Sequence, residues 1–143
     1  MDDKFNLRRF LDAQKDTFQR AFSEIENGCK QSHWMWFVFP QLKGLGRSET
    51  AKFYGIDSIE EAEAYLEHRD LGENLIRIST ELLKIEGKTA NEIFGNPDDL
   101  KLRSCMTLFA NVRGANPVFR KILDKYFSGE QDTSTLQILE KAK

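Results

Sequence analysis

Apolar side chains recur every three or four residues through almost the whole chain, which is the spacing of one face of an α-helix. The first such series runs from Leu7 to Ile25 and has the polar Gln14 in its middle. It predicts one helix that begins at Asn6 and ends near Gly28. No segment alternates between apolar and polar residues over enough positions to predict a strand.

Start signals for further helices follow one another along the chain. They are either a helix-capping residue or an asparagine that precedes proline, and they stand at Ser58, Thr89, Asn96, Asn116 and Asp132. We therefore predict an all-α fold, a compact single-domain array of about seven or eight short helices with short loops over residues 1–143. His68 is expected near a helix C-terminus, where a positive charge complements the helix dipole.

The composition narrows the class of protein. The chain has 143 residues, with 21 basic and 23 acidic side chains and a formal net charge of −2. A chain of this length can bury a core without metal or disulfide support. The charge balance argues against nucleic-acid binding and against attachment to a membrane surface. We predict no metal and no cofactor, and the oligomeric state is left open.

Two observations predict a cytoplasmic protein. The N-terminus is charged rather than apolar, and the longest apolar run, from Trp34 to Phe39, is six residues long. Neither a signal peptide nor a transmembrane helix is therefore expected. Cys29 and Cys105 are expected to be reduced thiols, because a single pair of cysteines forms no disulfide framework.

The segment from Ser32 to Gln41 is the least ordinary part of the sequence. Its apolar run has no polar face and is typical of a short, fully buried helix that ends at Pro40. The polar flanks leave a second interpretation open, in which the segment forms part of a binding site. His33 is then the candidate general acid or base, although a structural histidine is an equal alternative.

A glycine-rich loop follows this segment. Gly44, Gly46 and Ser48 would present backbone and hydroxyl donors to an anion, and the guanidinium of Arg47 suits a phosphate or carboxylate. The alternative is a tight loop that ends at Ser48 as the N-cap of a helix. Neither the phosphate-binding P-loop nor the dinucleotide-binding fingerprint is present.

These segments, together with others along the chain, strongly resemble the signature of the domain of unknown function 1810 family. The similarity is carried by Arg9-Phe10, Ala13-Gln14, residues 32–41 and 44–48, Glu61-Ala62, residues 64–66, Ile93-Phe94-Gly95, residues 98–102, Ser104 and residues 106–110. The sequence departs from the family pattern at Cys105, where a serine is more common, and residues 112–116 look variable. The resemblance implies an all-helical protein that is biochemically uncharacterised, although some genome annotations call its members calpastatin-like.

The resemblance also implies a ligand class, because some members are associated by domain fusion and gene context with NAD-derived or ADP-ribose pathways. We therefore expect a domain that binds or processes an ADP-ribose-like nucleotide, with the anion at the loop and the base against a tryptophan. The expected ligand-binding residues are Gln14, Ser32, Trp34, Trp36, Gln41, Gly44, Gly46, Arg47, Ser48 and Lys101.

Several alternatives remain open at the level of the sequence. The tryptophans are equally typical of a core, and Lys101 of a solvated helix face. Asp98 and Asp99 could supply the two carboxylates of glycosidic cleavage, but acidic residues in a first helical turn also stabilise the helix dipole. Whether the protein is an enzyme is left open. The alternative function is a non-catalytic interaction or structural domain in which the aromatic segment is only core.

Overall fold

Ten helices follow one another in the computed structural model, which describes residues 3–142. They are α1 Arg8–Lys15, α2 Phe18–Glu26, α3 Met35–Val38, α4 Glu49–Tyr54, α5 Ile59–Glu67, α6 Arg69–Lys84, α7 Ala90–Phe94, α8 Asp98–Ala110, α9 Val118–Phe127 and α10 Thr133–Lys141. The all-α prediction is confirmed, whereas the predicted number of seven or eight helices is too low. The described residues form no strand, only an isolated parallel bridge between Leu42 and Ile56.

Part of the difference in number arises at the N-terminus, where one helix was expected and two are present. The chain leaves the helical path between Lys15 and Phe18, at Asp16 and Thr17, both of which are poor helix formers. The apolar series keeps its phase across this break, so the pattern does not reveal it. Asn6 does not cap α1. Instead the carboxylate of Asp3 accepts hydrogen bonds from the first backbone N–H groups of the helix.

Most of the other predicted helix starts are confirmed. Thr89 forms a complete capping box, and the side chains of Ser58 and Asp132 cap α5 and α10. Pro97 and Pro117 stand immediately before α8 and α9.

His68 lies at the C-terminus of a helix, as expected, but it also begins the next helix. It follows the last residue of α5 and precedes the first residue of α6. Its Nδ1 accepts hydrogen bonds from the backbone N–H groups of Asp70 and Leu71, at 3.2 and 3.3 Å. The ring nitrogen therefore acts as an N-cap acceptor rather than as a positive partner for the C-terminus of α5.

Helix α8 lies at the centre of the fold. From Leu102 to Phe109 every side chain except that of Arg103 is buried, so this helix is surrounded on nearly all sides. Helices α5, α7, α9 and α10 all pack against it. One hydrophobic cluster joins side chains from Leu7 to Leu123, with partly buried residues of α10 at its edge.

A buried arginine ties the N-terminal segment to the middle of the chain. Arg9 makes five hydrogen bonds. It donates to the carboxylate of Glu61 at 2.7 Å and to four backbone carbonyl oxygens, those of Phe5, Asn6, Phe53 and Gly55. All five N–H groups of the guanidinium are thereby satisfied, as a buried arginine requires.

None of the helices within residues 3–142 has both the length and the apolar character to cross a bilayer.

Candidate functional site

The aromatic segment divides between the core and the surface. Helix α3 is a single turn, and the chain turns away at Pro40. Met35 and Val38 face inward, at 3% and 1% exposure, and the flanking Trp34 and Phe39 are also buried. Trp36 is only half-buried, because it lies on the opposite side of this turn. The expectation of a short buried helix therefore holds for most of the segment but not for Trp36 and Phe37, which are both half-buried.

Glu24 of α2 holds the start of this segment in place. Its carboxylate accepts hydrogen bonds from the backbone N–H groups of Gln31 and Ser32, from the Ser32 hydroxyl and from Nε1 of Trp34. Burial raises the pKa of Glu24, but these hydrogen bonds outweigh that effect and lower it to about 2. Ser32 and Trp34 thus have structural partners, and their ligand-binding role stays a prediction.

Gln14 also has a structural environment. Its Nε2 donates to the carbonyl of Phe37 at 2.7 Å and to the Tyr65 hydroxyl at 3.0 Å, and its Oε1 accepts from Nδ2 of Asn74 at 3.1 Å. The polar position in the first apolar series is therefore explained by a buried amide that joins α1, α3, α5 and α6. A role in reading a ligand stays a prediction.

A surface cleft of about 290 Å³ brings four of the predicted residues together. We name it the Trp36 cleft. Four residues that the sequence predicted to bind a ligand are among those that line it, namely Trp36, Gln41, Gly46 and Lys101. Gly46 is required by close approach, since a Cβ at this position would lie 2.7 Å from Cβ of Ala51 and 3.1 Å from Cη2 of Trp36. The loop therefore packs directly on the indole, and this close packing explains the glycine at position 46. A role of Gly46 in ligand binding stays a prediction.

A shared carboxylate positions the positive charge of the cleft. Asp98 pairs with Nζ of Lys30 at 2.8 Å and with Nζ of Lys101 at 3.1 Å. Each ammonium also lies over a tryptophan ring, that of Lys30 at 5.1 Å from the centre of Trp34 and that of Lys101 at 4.1 Å from the centre of Trp36. Burial raises the pKa of Asp98, but both lysines lower it and the net pKa lies below its usual range. Lys101 therefore brings a positive charge to the cleft wall, held in position by Asp98.

Gln41 lines the cleft and is one of three described residues, with Ser79 and Arg103, that have a buried side-chain polar atom without a hydrogen-bond partner. It is 6% exposed, and within residues 3–142 its Nε2 has no hydrogen-bond partner. A buried amide without a partner costs about 1–3 kcal/mol. Such a group in the wall of a cleft is suited to an acceptor atom of a ligand.

The remaining predicted residues do not line the cleft. His33 and Arg47 are exposed, and Gly44 adopts a φ of +102° in the loop. The hydroxyl of Ser48 accepts a hydrogen bond from the N–H of Ala51, as the N-cap of α4. Helix α4 has only six residues, and we assign no anion site to its N-terminus alone. The binding or catalytic roles predicted for these four residues stay predictions.

Sequence reasoning did not identify the other walls of the cleft. They include Ser104 of α8 and Asp132 and Ser134 at the start of α10. Asp132 was expected only as a helix cap, and no local signal indicates that the starts of α8 and α10 meet the aromatic segment. No group of three or more His, Cys, Asp or Glu side chains is arranged to hold a metal ion in the described part of the chain.

Comparison with known proteins places the chain in a family without assigning it a function. It is similar to the conserved hypothetical protein Rv1873 from Mycobacterium tuberculosis, a crystal structure with 48% sequence identity and a TM-score of 0.95. The match covers 96% of this chain and 99% of that one. No curated protein matches the chain. A family model described as a protein of unknown function, DUF1810, matches residues 4–139. The chain therefore belongs to the DUF1810 family.

Proposed function

We propose that the protein binds a small phosphate-bearing nucleotide of the ADP-ribose or NAD-derived class in the Trp36 cleft. The observation that carries this proposal is the buried, unpartnered amide nitrogen of Gln41 in the cleft wall. A ligand oxygen would satisfy this donor, whereas an apolar ligand would leave it unpaired.

The charge around the cleft supports an anionic ligand. Lys101 contributes an ammonium to the cleft wall. The carboxylate of Asp98, which pairs with this ammonium, also pairs with that of Lys30. Arg47 follows Gly46 in the sequence and is exposed, so its guanidinium is free to meet the part of the ligand that extends beyond the cleft. An anion that enters the cleft therefore meets positive charge, and its binding should weaken as salt screens that charge.

The size of the cleft limits how much of the ligand it holds. About 290 Å³ lies at the lower end of the range for small-molecule sites. It suits a mononucleotide-sized part, so the rest of an ADP-ribose would lie across residues 44–48. Lys101 already lies on the Trp36 ring, so a base would contact the remaining edge of the indole or displace the ammonium.

Titration calorimetry with ADP-ribose, NAD and AMP tests the proposal. We expect heat of binding with at least one of them, and we expect Gln41→Met to weaken that binding at least tenfold. Methionine has a similar shape and removes an unpartnered buried donor, so the variant should be at least as stable as the parent protein. Titrations without heat for all three nucleotides would refute the proposed ligand class.

The burial of the aromatic segment favours one alternative function. Trp34, Met35, Val38 and Phe39 are no more than 3% exposed and behave as core. In a non-catalytic interaction or structural domain the segment would have only this role. That alternative predicts that Gln41→Met changes nothing except stability. Catalysis by His33 would need a substrate that reaches its exposed ring, and an unchanged rate in His33→Ala would exclude it.

A further inference from the structure

The first turn of α10 opens on the Trp36 cleft. Asp132 and Ser134 both line the cleft, and this nine-residue helix has no acidic residue in its first turn. The N–H of Thr135 bonds to Oδ2 of Asp132 at 2.9 Å, and that of Leu136 to the Asp132 carbonyl at 3.1 Å. The preceding two N–H groups of the helix, at residues 133 and 134, have no acceptor in the described part of the chain.

A second, independent group in the same cleft also lacks an acceptor. The side chain of Gln41 is more than nine-tenths buried, and its Nε2 has no partner among residues 3–142. Gln41 follows Pro40, on a different part of the chain from α10. Two unrelated segments therefore bring unmet donors to one cavity, and a ligand rich in acceptor oxygens would satisfy both.

The negative charge of Asp132 does not close the cleft to anions. Its Oδ2 accepts hydrogen bonds from the N–H and the hydroxyl of Thr135, and its Oδ1 lies 3.7 Å from a terminal nitrogen of Arg103. Arg103 balances this carboxylate. Among the charged residues that line the cleft, Lys101 supplies the ammonium, and Asp98 holds it at 3.1 Å.

We propose that the α10 side of the Trp36 cleft is a phosphoryl subsite, which takes a phosphate group of the nucleotide. The donors are the N–H of Ser134, Nζ of Lys101 and Nε2 of Gln41, and the sugar and base lie toward Trp36 and Gly46. This assignment rests on the proposed function and sharpens it, since it favours a mononucleotide 5′-phosphate over a nucleoside. Unpaired N–H groups at a helix N-terminus together with a lysine are a recurrent way to bind phosphate.

Calorimetric titration with inorganic phosphate, ribose 5-phosphate, AMP and adenosine tests the subsite. We expect AMP to bind at least tenfold more tightly than adenosine. The informative variant is Ser134→Asp, which places a carboxylate in the subsite at a helix position where acidic residues stabilise the fold. It should weaken AMP binding at least tenfold without lowering the midpoint of thermal unfolding. The matched control, Gln137→Glu, adds the same charge to the exposed face of α10 and should change AMP affinity less than twofold.

The outcomes separate the subsite from the proposed function. Adenosine that binds as tightly as AMP, or Ser134→Asp with unchanged AMP affinity, would overturn the phosphoryl subsite and leave nucleotide binding intact. Ribose 5-phosphate that binds as tightly as AMP would support the subsite and overturn the nucleotide class. Absence of binding for all four probes would overturn the subsite, and absence of binding for ADP-ribose and NAD as well would overturn both. Lys101→Met is a second variant that should weaken AMP binding, so the test does not depend on a single substitution.

Discussion

Replacement of Glu24 by glutamine should lower the free energy of unfolding by about 2 kcal/mol at neutral pH. In the parent protein the carboxylate accepts four hydrogen bonds, from Gln31, Ser32 and Trp34, and its pKa falls from an ordinary 4.5 to about 2. At about 1.4 kcal/mol per pKa unit, a shift of this size corresponds to roughly 3 kcal/mol. Partial exposure of the carboxylate reduces the expected value to about 2 kcal/mol.

The pH dependence of this effect has a definite sign. Because the pKa of Glu24 is lower in the folded protein than in the unfolded chain, its contribution is fully present above about pH 4.5 and is lost as the pH falls toward 2. The difference in stability between Glu24→Gln and the parent protein should therefore shrink over this interval. Glutamine keeps the shape and one acceptor oxygen, so the fold should be retained.

Urea denaturation at pH 7, 5 and 3, followed by far-ultraviolet circular dichroism, measures this difference. The control is Glu26→Gln, which removes a charge from an exposed residue of the same helix and should change stability by less than about 0.5 kcal/mol. A Glu24→Gln variant as stable as the parent at pH 7 would contradict the reasoning. So would a loss of stability that stays constant down to pH 3.

Three further substitutions test the fold. Gly72→Ala should destabilise the protein by more than about 2 kcal/mol in urea denaturation, since its Cβ would lie 2.1 Å from the backbone oxygen of Leu66. Arg9→Met should cost about 3–5 kcal/mol in the same assay, because it leaves the buried carboxylate of Glu61 unpaired, and Arg9→Met combined with Glu61→Leu should recover part of that loss. His68→Ala should lower stability by about 1 kcal/mol through loss of the cap, whereas His68→Asn should retain most of it.

The helices were largely predictable because their signals are local. The capping box at Thr89 and the cap at Asp132 each depend on residues within a single turn, and both occur as expected. The break between α1 and α2 was not predictable from periodicity, since the buried residues keep their phase through Asp16 and Thr17. The capping role of His68 in the second helix was missed because a histidine is not a usual N-cap residue, yet its Nδ1 accepts the hydrogen bonds of a cap.

The candidate site was predictable only in part, because it forms between segments that are distant in the chain. The aromatic segment and the glycine loop indicated Trp36, Gln41 and Gly46, which do line one cleft. Their apposition to Ser104 and to the start of α10 depends on how the helices pack. The sequence also could not separate Trp34 from Trp36, since only the tertiary structure shows which indole hydrogen-bonds to Glu24.

The different surroundings of the two tryptophans make them separate optical reporters. Trp34 is enclosed in the core, with its indole nitrogen bonded to a carboxylate, whereas Trp36 is half-buried beside an ammonium at the rim of the cleft. Fluorescence from a Trp34→Phe variant would then follow events in the cleft, and fluorescence from Trp36→Phe would follow unfolding of the core. The chain thus has one intrinsic probe for changes in the cleft and another for stability, with no added label.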